Sequence, residues 1–231
     1  MALRSRYFYL PLTVFFFILL TLVLMVVFSL VFIGAIGGAF QRVFGSWALA
    51  LLVFLGSLIG SSINLPIGSV KSKRSIVRLG MVRVFGISYP APILEEMEDR
   101  TYIAVNMGGA IIPTIISFFL LYTIPEIRLR SIIVIIAVSL LVHLVAKPVP
   151  GMGIVTPSLY PPLVTALAVL FLGGSHIYAV AYVSGTLGTL IGADLLNLRR
   201  ISEIGASVVS IGGAGTFDGI FLTGILAVLL A

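Results

Sequence analysis

The chain has 231 residues, of which 60% are hydrophobic and only 10% charged. That is more apolar surface than one soluble core can hide, so a bilayer is the expected solvent. The net charge of +6 does not point to nucleic acid, because the basic residues sit in short segments between apolar runs, where membrane topology accounts for them. The lack of cysteine removes disulfides, thiolate metal sites and cysteine nucleophiles.

A spanning helix needs about 20 apolar residues, and the sequence offers about seven such stretches within one polytopic domain, 1–231. The first, near Leu12 to Phe32, follows Arg4 and Arg6. It runs on to Phe40 without a small-residue cleavage pattern and reads as a retained anchor. The second runs near Ser46 to Ile63 and is stopped by Pro66. The third lies near Ile103 to Ile124, the fourth near Ile132 to Val145, and the fifth near Val155 to Leu172, with Pro157, Pro161 and Pro162 in its first turns. A sixth covers Ile177 to Leu198. The stretch from Ile204 to Ala231 is apolar but broken by Gly205, Gly212, Gly213 and Gly215, so its regular helix is expected to begin near Gly215. The expected fold class is an all-α membrane protein with about seven transmembrane helices and a glycine-rich irregular segment before the last.

Only Arg42, Arg128 and Arg130 of the 14 basic residues fall on one side of this arrangement. Placing the other basic residues in the cytoplasm puts the N-terminus inside. The one long polar connection, 68–101, carries Lys71, Lys73, Arg74, Arg78 and Arg83 and then Glu95, Glu96, Glu98 and Asp99. It is expected to be a cytoplasmic, solvated charged loop. Its run Ser75 to Phe85 also has the composition of strands or of an interfacial segment, and periodicity does not separate the two.

Three aspartates occur, and two of them, Asp194 and Asp218, fall in consecutive apolar stretches. A carboxylate at membrane depth is costly and usually faces a cavity, a partner charge or water. Asp194 lies about 7.5 Å from Arg199 along a helix. Asp218 would be about 22 Å deep in a helix begun at Glu203, but only about 4.5 Å deep in one begun at Gly215. The second case sets the two carboxylates level. Two carboxyls held close share a proton, so that one acts as base on a water and the other as acid toward a carbonyl, which is how paired aspartates hydrolyse peptides.

The stretch Gly215-Thr216-Phe217-Asp218-Gly219 running into an apolar helix, with Gly192-Ala193-Asp194 on the preceding span, resembles the GxGD motif of presenilin and signal peptide peptidase type intramembrane aspartyl proteases. The resemblance implies Asp194 and Asp218 as the catalytic pair, with Gly192, Gly215, Phe217 and Gly219 supporting the site. Phe217 stands where the motif has its second glycine, Ala193 where presenilins have tyrosine, and no Pro-Ala-Leu follows Asp218. The nearest substitutes, Pro157-Ser158-Leu159 and Pro161-Pro162-Leu163, precede both aspartates. The whole chain also resembles an uncharacterised prokaryotic multi-pass membrane family, which implies a prokaryotic cell membrane.

The function expected is therefore intramembrane aspartyl proteolysis of membrane-protein or peptide substrates, with no cofactor and no metal. Ion- or proton-coupled transport through the same two aspartates is an alternative, and a non-catalytic assembly role is another. Asn64, Asn106 and Asn197 are candidate polar residues of the same cavity. Ser207, Val208, Val209 and Ser210 form a candidate extended edge that would bind an unwound substrate by strand addition. His143 and His176 lack metal-ligand spacing, and Ser184 lacks the glycine two residues before it that a rhomboid-like serine protease needs. Gly185, Gly188 and Gly192 recur at helical spacing and predict a close packing face.

Overall fold

The computed structural model describes residues 12–84, 87–213 and 219–231. The longest apolar run becomes the longest helix, α1 (Leu12–Phe44). Its first half is exposed on all sides, with Phe17 and Phe28 each 70% accessible, whereas Ile36, Ala39, Phe40 and Val43 in its second half are buried. After a turn at Gly45, whose φ of 67° suits glycine, α2 (Trp47–Gly60) runs back.

The connection that follows is not an irregular loop. It is an antiparallel hairpin of two long strands, β1 (Asn64–Val84) and β2 (Ile87–Asn106). Val70, Val77, Val82, Val84 and Ile87 give the segment strand character, and the register runs on without a shift from Gly68 opposite Ile103 to Val84 opposite Ile87. The all-α expectation is corrected by this hairpin, by the short hairpin β3 (Lys147–Val149) and β4 (Gly153–Val155), and by β5 (Val208–Ile211). β5 runs parallel to the end of β2, giving the sheet order β1-β2-β5. This pairing claims Ile103 and Val105 for the sheet, so the third apolar stretch begins its helix later than its composition suggests.

A π-helical turn (Met107–Ile111) leads into α3 (Ile112–Thr123), and a 3-10 turn at Pro125–Ile127 into α4 (Arg128–Val145). Prolines at 161 and 162 sit in the first turn of α5 (Tyr160–Leu172), where a missing N–H costs nothing. This start leaves 156–159 outside the helix. α6 (Ile177–Thr189) continues through a π segment (Leu190–Asp194) into a 3-10 segment (Leu195–Glu203). The last helix is described as α7 (Gly219–Leu230).

α6 is the axle of the bundle. Every residue from Ala179 to Thr189 is buried, and α3, α4, α5 and α7 all pack on it. Glycines permit this closeness. A Cβ on Gly188 would lie 2.7 Å from the side chain of Val138, and one on Gly192 would overlap the backbone of Ser139, both on α4, while Gly185 faces Thr223 of α7. The predicted glycine face thus serves two neighbours at once. Where α1 joins the bundle, Phe40 meets Tyr182 and Phe221 with ring centroids 6.0 Å apart in both pairs.

Among the described residues, three helical stretches are long and apolar enough to cross a membrane: Val14–Phe44, Pro125–Val145 and Gly174–Ser202. The other four, Trp47–Gly60, Met107–Thr123, Tyr160–Leu172 and Gly219–Leu230, are shorter. Strands and prolines take residues that composition alone assigns to spans of full length.

Candidate functional site

Asp194 closes the π segment at the end of α6, at the point where the helix narrows to 3-10 geometry. Such a transition leaves carbonyls without their regular partners. Asn197 meets them: its Nδ2 donates to the carbonyls of Gly192 (3.2 Å) and Ala193 (2.9 Å) and lies 3.1 Å from His143 Nδ1 on α4. Asn197 is fully buried and lines neither cavity beside Asp194. It holds the backbone on which Asp194 sits rather than facing a ligand.

Asp194 is half-buried and lies on the wall of two cavities. The first, about 230 Å³, is lined also by Thr156, Ser158, Pro161, Thr189, Gly219 and Ile220. The second, about 270 Å³, is lined by Asn64, Ile154, Val208, Val209, Ser210 and Gly213 among others. Ile154 of β4 borders both. Gly219, the residue after Asp218, therefore shares a cavity with Asp194. Asp218 itself, with Gly215 and Phe217, lies outside the described residues. Gly192 supports the site from behind, against Ser139, and lines neither cavity.

The segment 208–211 is strand β5, the outermost strand of its sheet. Its inner edge is fastened to β2 by the N–H of Tyr102 donating to the Ser207 carbonyl (3.0 Å) and by Thr101 Oγ1 donating to the Ala206 carbonyl (2.6 Å). Among the described residues no strand pairs with its other edge. Ser210 Oγ donates to Asn64 Oδ1 (2.5 Å), and Asn106 Nδ2 donates to the same oxygen (3.0 Å) and to the Ser61 carbonyl (2.7 Å). Asn106 Oδ1 accepts from the Gly109 N–H at 2.8 Å and so caps the π turn before α3. Of the three asparagines, Asn64 faces the cavity with Asp194, while Asn106 is buried and braces it.

Sequence reasoning misses Ile154, Thr156 and Thr189 as neighbours of Asp194. Thr189 lies five residues before Asp194, a spacing that in an unbroken α-helix turns it well away, and the π segment alters that phase. The β4–α5 connection carries no chemical signal of its own. Ser158 and Pro161, which precede both aspartates in sequence, nonetheless reach the cavity of Asp194 and Gly219. Among the described residues no three His, Cys, Asp or Glu side chains converge as a metal site would require.

A family model described as protein of unknown function, DUF1614, matches residues 58–230. The chain belongs to this family. The matched stretch holds the hairpin, the residues lining both cavities, and Asp194 and Asp218 in sequence, and leaves α1 outside. No curated protein and no solved structure matches the chain.

Proposed function

We propose that the chain is a multi-pass protein of a prokaryotic cell membrane that hydrolyses peptide bonds of membrane-embedded substrates, with Asp194 and Asp218 as an aspartyl dyad. Membrane residence is supported by the three long apolar helices and by the apolar side chains that α1 exposes on every side from Val14 to Ile33, which only an apolar solvent accommodates. The distribution of basic residues supports an N-terminus on the cytoplasmic side.

The observation that carries the protease reading is the shared cavity of Asp194 and Gly219, because Asp218 is the immediate chain neighbour of Gly219. In this reading one carboxylate takes a proton from water while the other, protonated, donates to the scissile carbonyl. A helical substrate hides its carbonyls in its own hydrogen bonds and must be drawn into extended form first. The open edge of β5, on the wall of the neighbouring cavity that Asp194 also borders, suits that task. Ser158 and Pro161, which line the cavity with Asp194, would in this reading take the part of a Pro-Ala-Leu segment from an earlier place in the chain.

The test is cleavage of a fluorogenic transmembrane peptide by the purified chain in lipid nanodiscs. Asp194→Asn and Asp218→Asn are each expected to lower the rate by about 10³-fold or more, a loss of roughly 4 kcal/mol in transition-state stabilisation. Asp194→Glu, which keeps the charge but moves it, is expected to lose nearly as much. Cleavage that survives in the double Asn variant would refute the dyad.

A second reading, ion- or proton-coupled transport, is favoured by the π and 3-10 break of α6 at Asp194, since interrupted helices serve ion sites as well. Transport predicts substantial retention in Asp194→Glu and proton-gradient-dependent uptake without peptide cleavage.

A further inference from the structure

Tyr182, Thr186 and Thr189 of α6 follow one another at spacings of four and three, so one face of the helix carries three hydroxyls. Each of these residues is at most 1% exposed, and none of the three hydroxyl oxygens has a hydrogen-bond partner among the described residues. In α3, α5 and α7 the buried hydroxyls of Ser117, Thr165 and Thr223 are satisfied by their own helices, each donating to the carbonyl four residues back. Thr186 and Thr189 have the same option in a helix and do not take it. A buried tyrosine hydroxyl, too, ordinarily finds a partner.

The face they share is turned to α7. A Cβ on Gly224 would lie 2.6 Å from Thr186 Oγ1 and 3.3 Å from the Tyr182 ring, so the glycine sets both against bare backbone. Thr189 lines the cavity of about 230 Å³ together with Asp194, Gly219 and Ile220. The three side chains therefore follow the α6–α7 seam inward from that cavity as far as Tyr182, whose ring centroid is 6.0 Å from that of Phe40 and 6.3 Å from that of Phe44.

An unpaired buried hydroxyl is costly, and where protein does not satisfy such a group bound water does. Along the helix axis Thr189 and Thr186 are about 4.5 Å apart, and Thr186 and Tyr182 about 6 Å. One water spans about 5.5 Å between two hydroxyls. With Thr156, Ser158 and Asp194 on its wall, the cavity is polar and roomy enough to admit water at the Thr189 end.

We propose that the α6–α7 seam binds a file of water running from the Asp194 cavity past Thr189 and Thr186 to Tyr182, an internal store that replaces water consumed beside Asp194. Each peptide bond hydrolysed takes up one water, its hydroxyl going to the carbonyl carbon and its proton to the amine. The task of the file rests on the proteolytic reading above, whereas its presence does not.

X-ray radiolysis makes hydroxyl radicals from water where it stands, so oxidation of a buried side chain, read by mass spectrometry, reports water beside it. In the full-length chain in lipid nanodiscs, with each rate divided by its value in the unfolded chain, Tyr182 is expected to be oxidised about tenfold faster than Phe40, an equally buried neighbouring ring. Thr186→Val, which keeps the shape and removes the hydroxyl, is expected to bring Tyr182 down to the level of Phe40, and Thr186→Ser to leave it high, with helical circular dichroism unchanged in both. A Tyr182 as protected as Phe40 in the unaltered chain overturns the file. Oxidation that persists in Thr186→Val also overturns it, because water then arrives by another route. Labelling needs no catalysis: an oxidised Tyr182 in a chain that cleaves nothing keeps the file and refutes the reading it serves, while a protected Tyr182 in a chain that cleaves peptide refutes the file alone.

Discussion

α1 and the helical stretch Gly174–Ser202 that contains α6 are both long and apolar enough to cross a membrane, yet they occupy opposite surroundings. From Val14 to Ile33, α1 buries nothing, while α6 buries every residue from Ala179 to Thr189. The difference lies in side-chain size rather than hydropathy. The exposed half of α1 is built mostly of Phe, Leu, Val, Ile and Met, with only Thr21 and Ser29 among them, whereas α6 carries Ser184, Gly185, Thr186, Gly188 and Thr189. Between helices in an apolar solvent, burying apolar surface gives no advantage over lipid, and close approach of backbones decides which helix becomes the centre. α1 joins the bundle in its second half, at Ile36, Ala39, Phe40 and Val43. The central position of α6 in turn places Asp194 at the junction of α6 with the sheet, where cavities can form beside it.

The sharpest way to break this comparison is to remove the close approach. Gly192→Leu sets a side chain into the backbone of Ser139, and because backbone yields less than a side-chain tip, the loss is expected to exceed about 3 kcal/mol. The midpoint of denaturant unfolding in mixed micelles, followed through helical circular dichroism, reads it. A midpoint equal to that of the unaltered chain would show that α4 and α6 do not touch at this residue. Phe40→Ala comes next, expected to cost about 3 kcal/mol by emptying the space among Phe44, Tyr182 and Phe221. Trp47, the single tryptophan, sits against Gly37 of α1, and its emission reports whether the second half of α1 has detached.

Much of this is legible in the sequence and some is not, for physical reasons. The glycines of α6 announce a packing face because their spacing matches the helix repeat. Asp194 stands out because a carboxylate in an apolar segment has no inexpensive explanation. The hairpin is hidden because Ser75 to Phe85 alternates too weakly to separate strand from interfacial segment, and its charges read equally as a solvated loop or as a ladder. Span lengths are overestimated because Ile103 and Val105 are as apolar as helix residues, and only their pairing with β5 reveals them as strand. Asn197 is legible as polar but not in its task, since the freed carbonyls of Gly192 and Ala193 exist only after the helix changes geometry. Thr156, Ser158 and Pro161 reach Asp194 through the fold of β4 and the start of α5, which no local pattern encodes.

The smallest expected effect is the most discriminating for the comparison. Leu24 is 57% exposed on the half of α1 whose side chains are open on every side, so Leu24→Ala is expected to change unfolding stability in micelles by less than about 0.5 kcal/mol. The removed methyl groups are solvated by detergent tails in the folded state and in the unfolded state alike, and no cavity is left behind. Phe40, sixteen residues further along the same helix, supplies the internal contrast, because the loss there is of packing and not of hydrophobicity. If Leu24→Ala costs as much as Phe40→Ala, the outer half of α1 has a protein neighbour in micelles. Side-chain size would then fail to distinguish a peripheral helix from a central one in this chain.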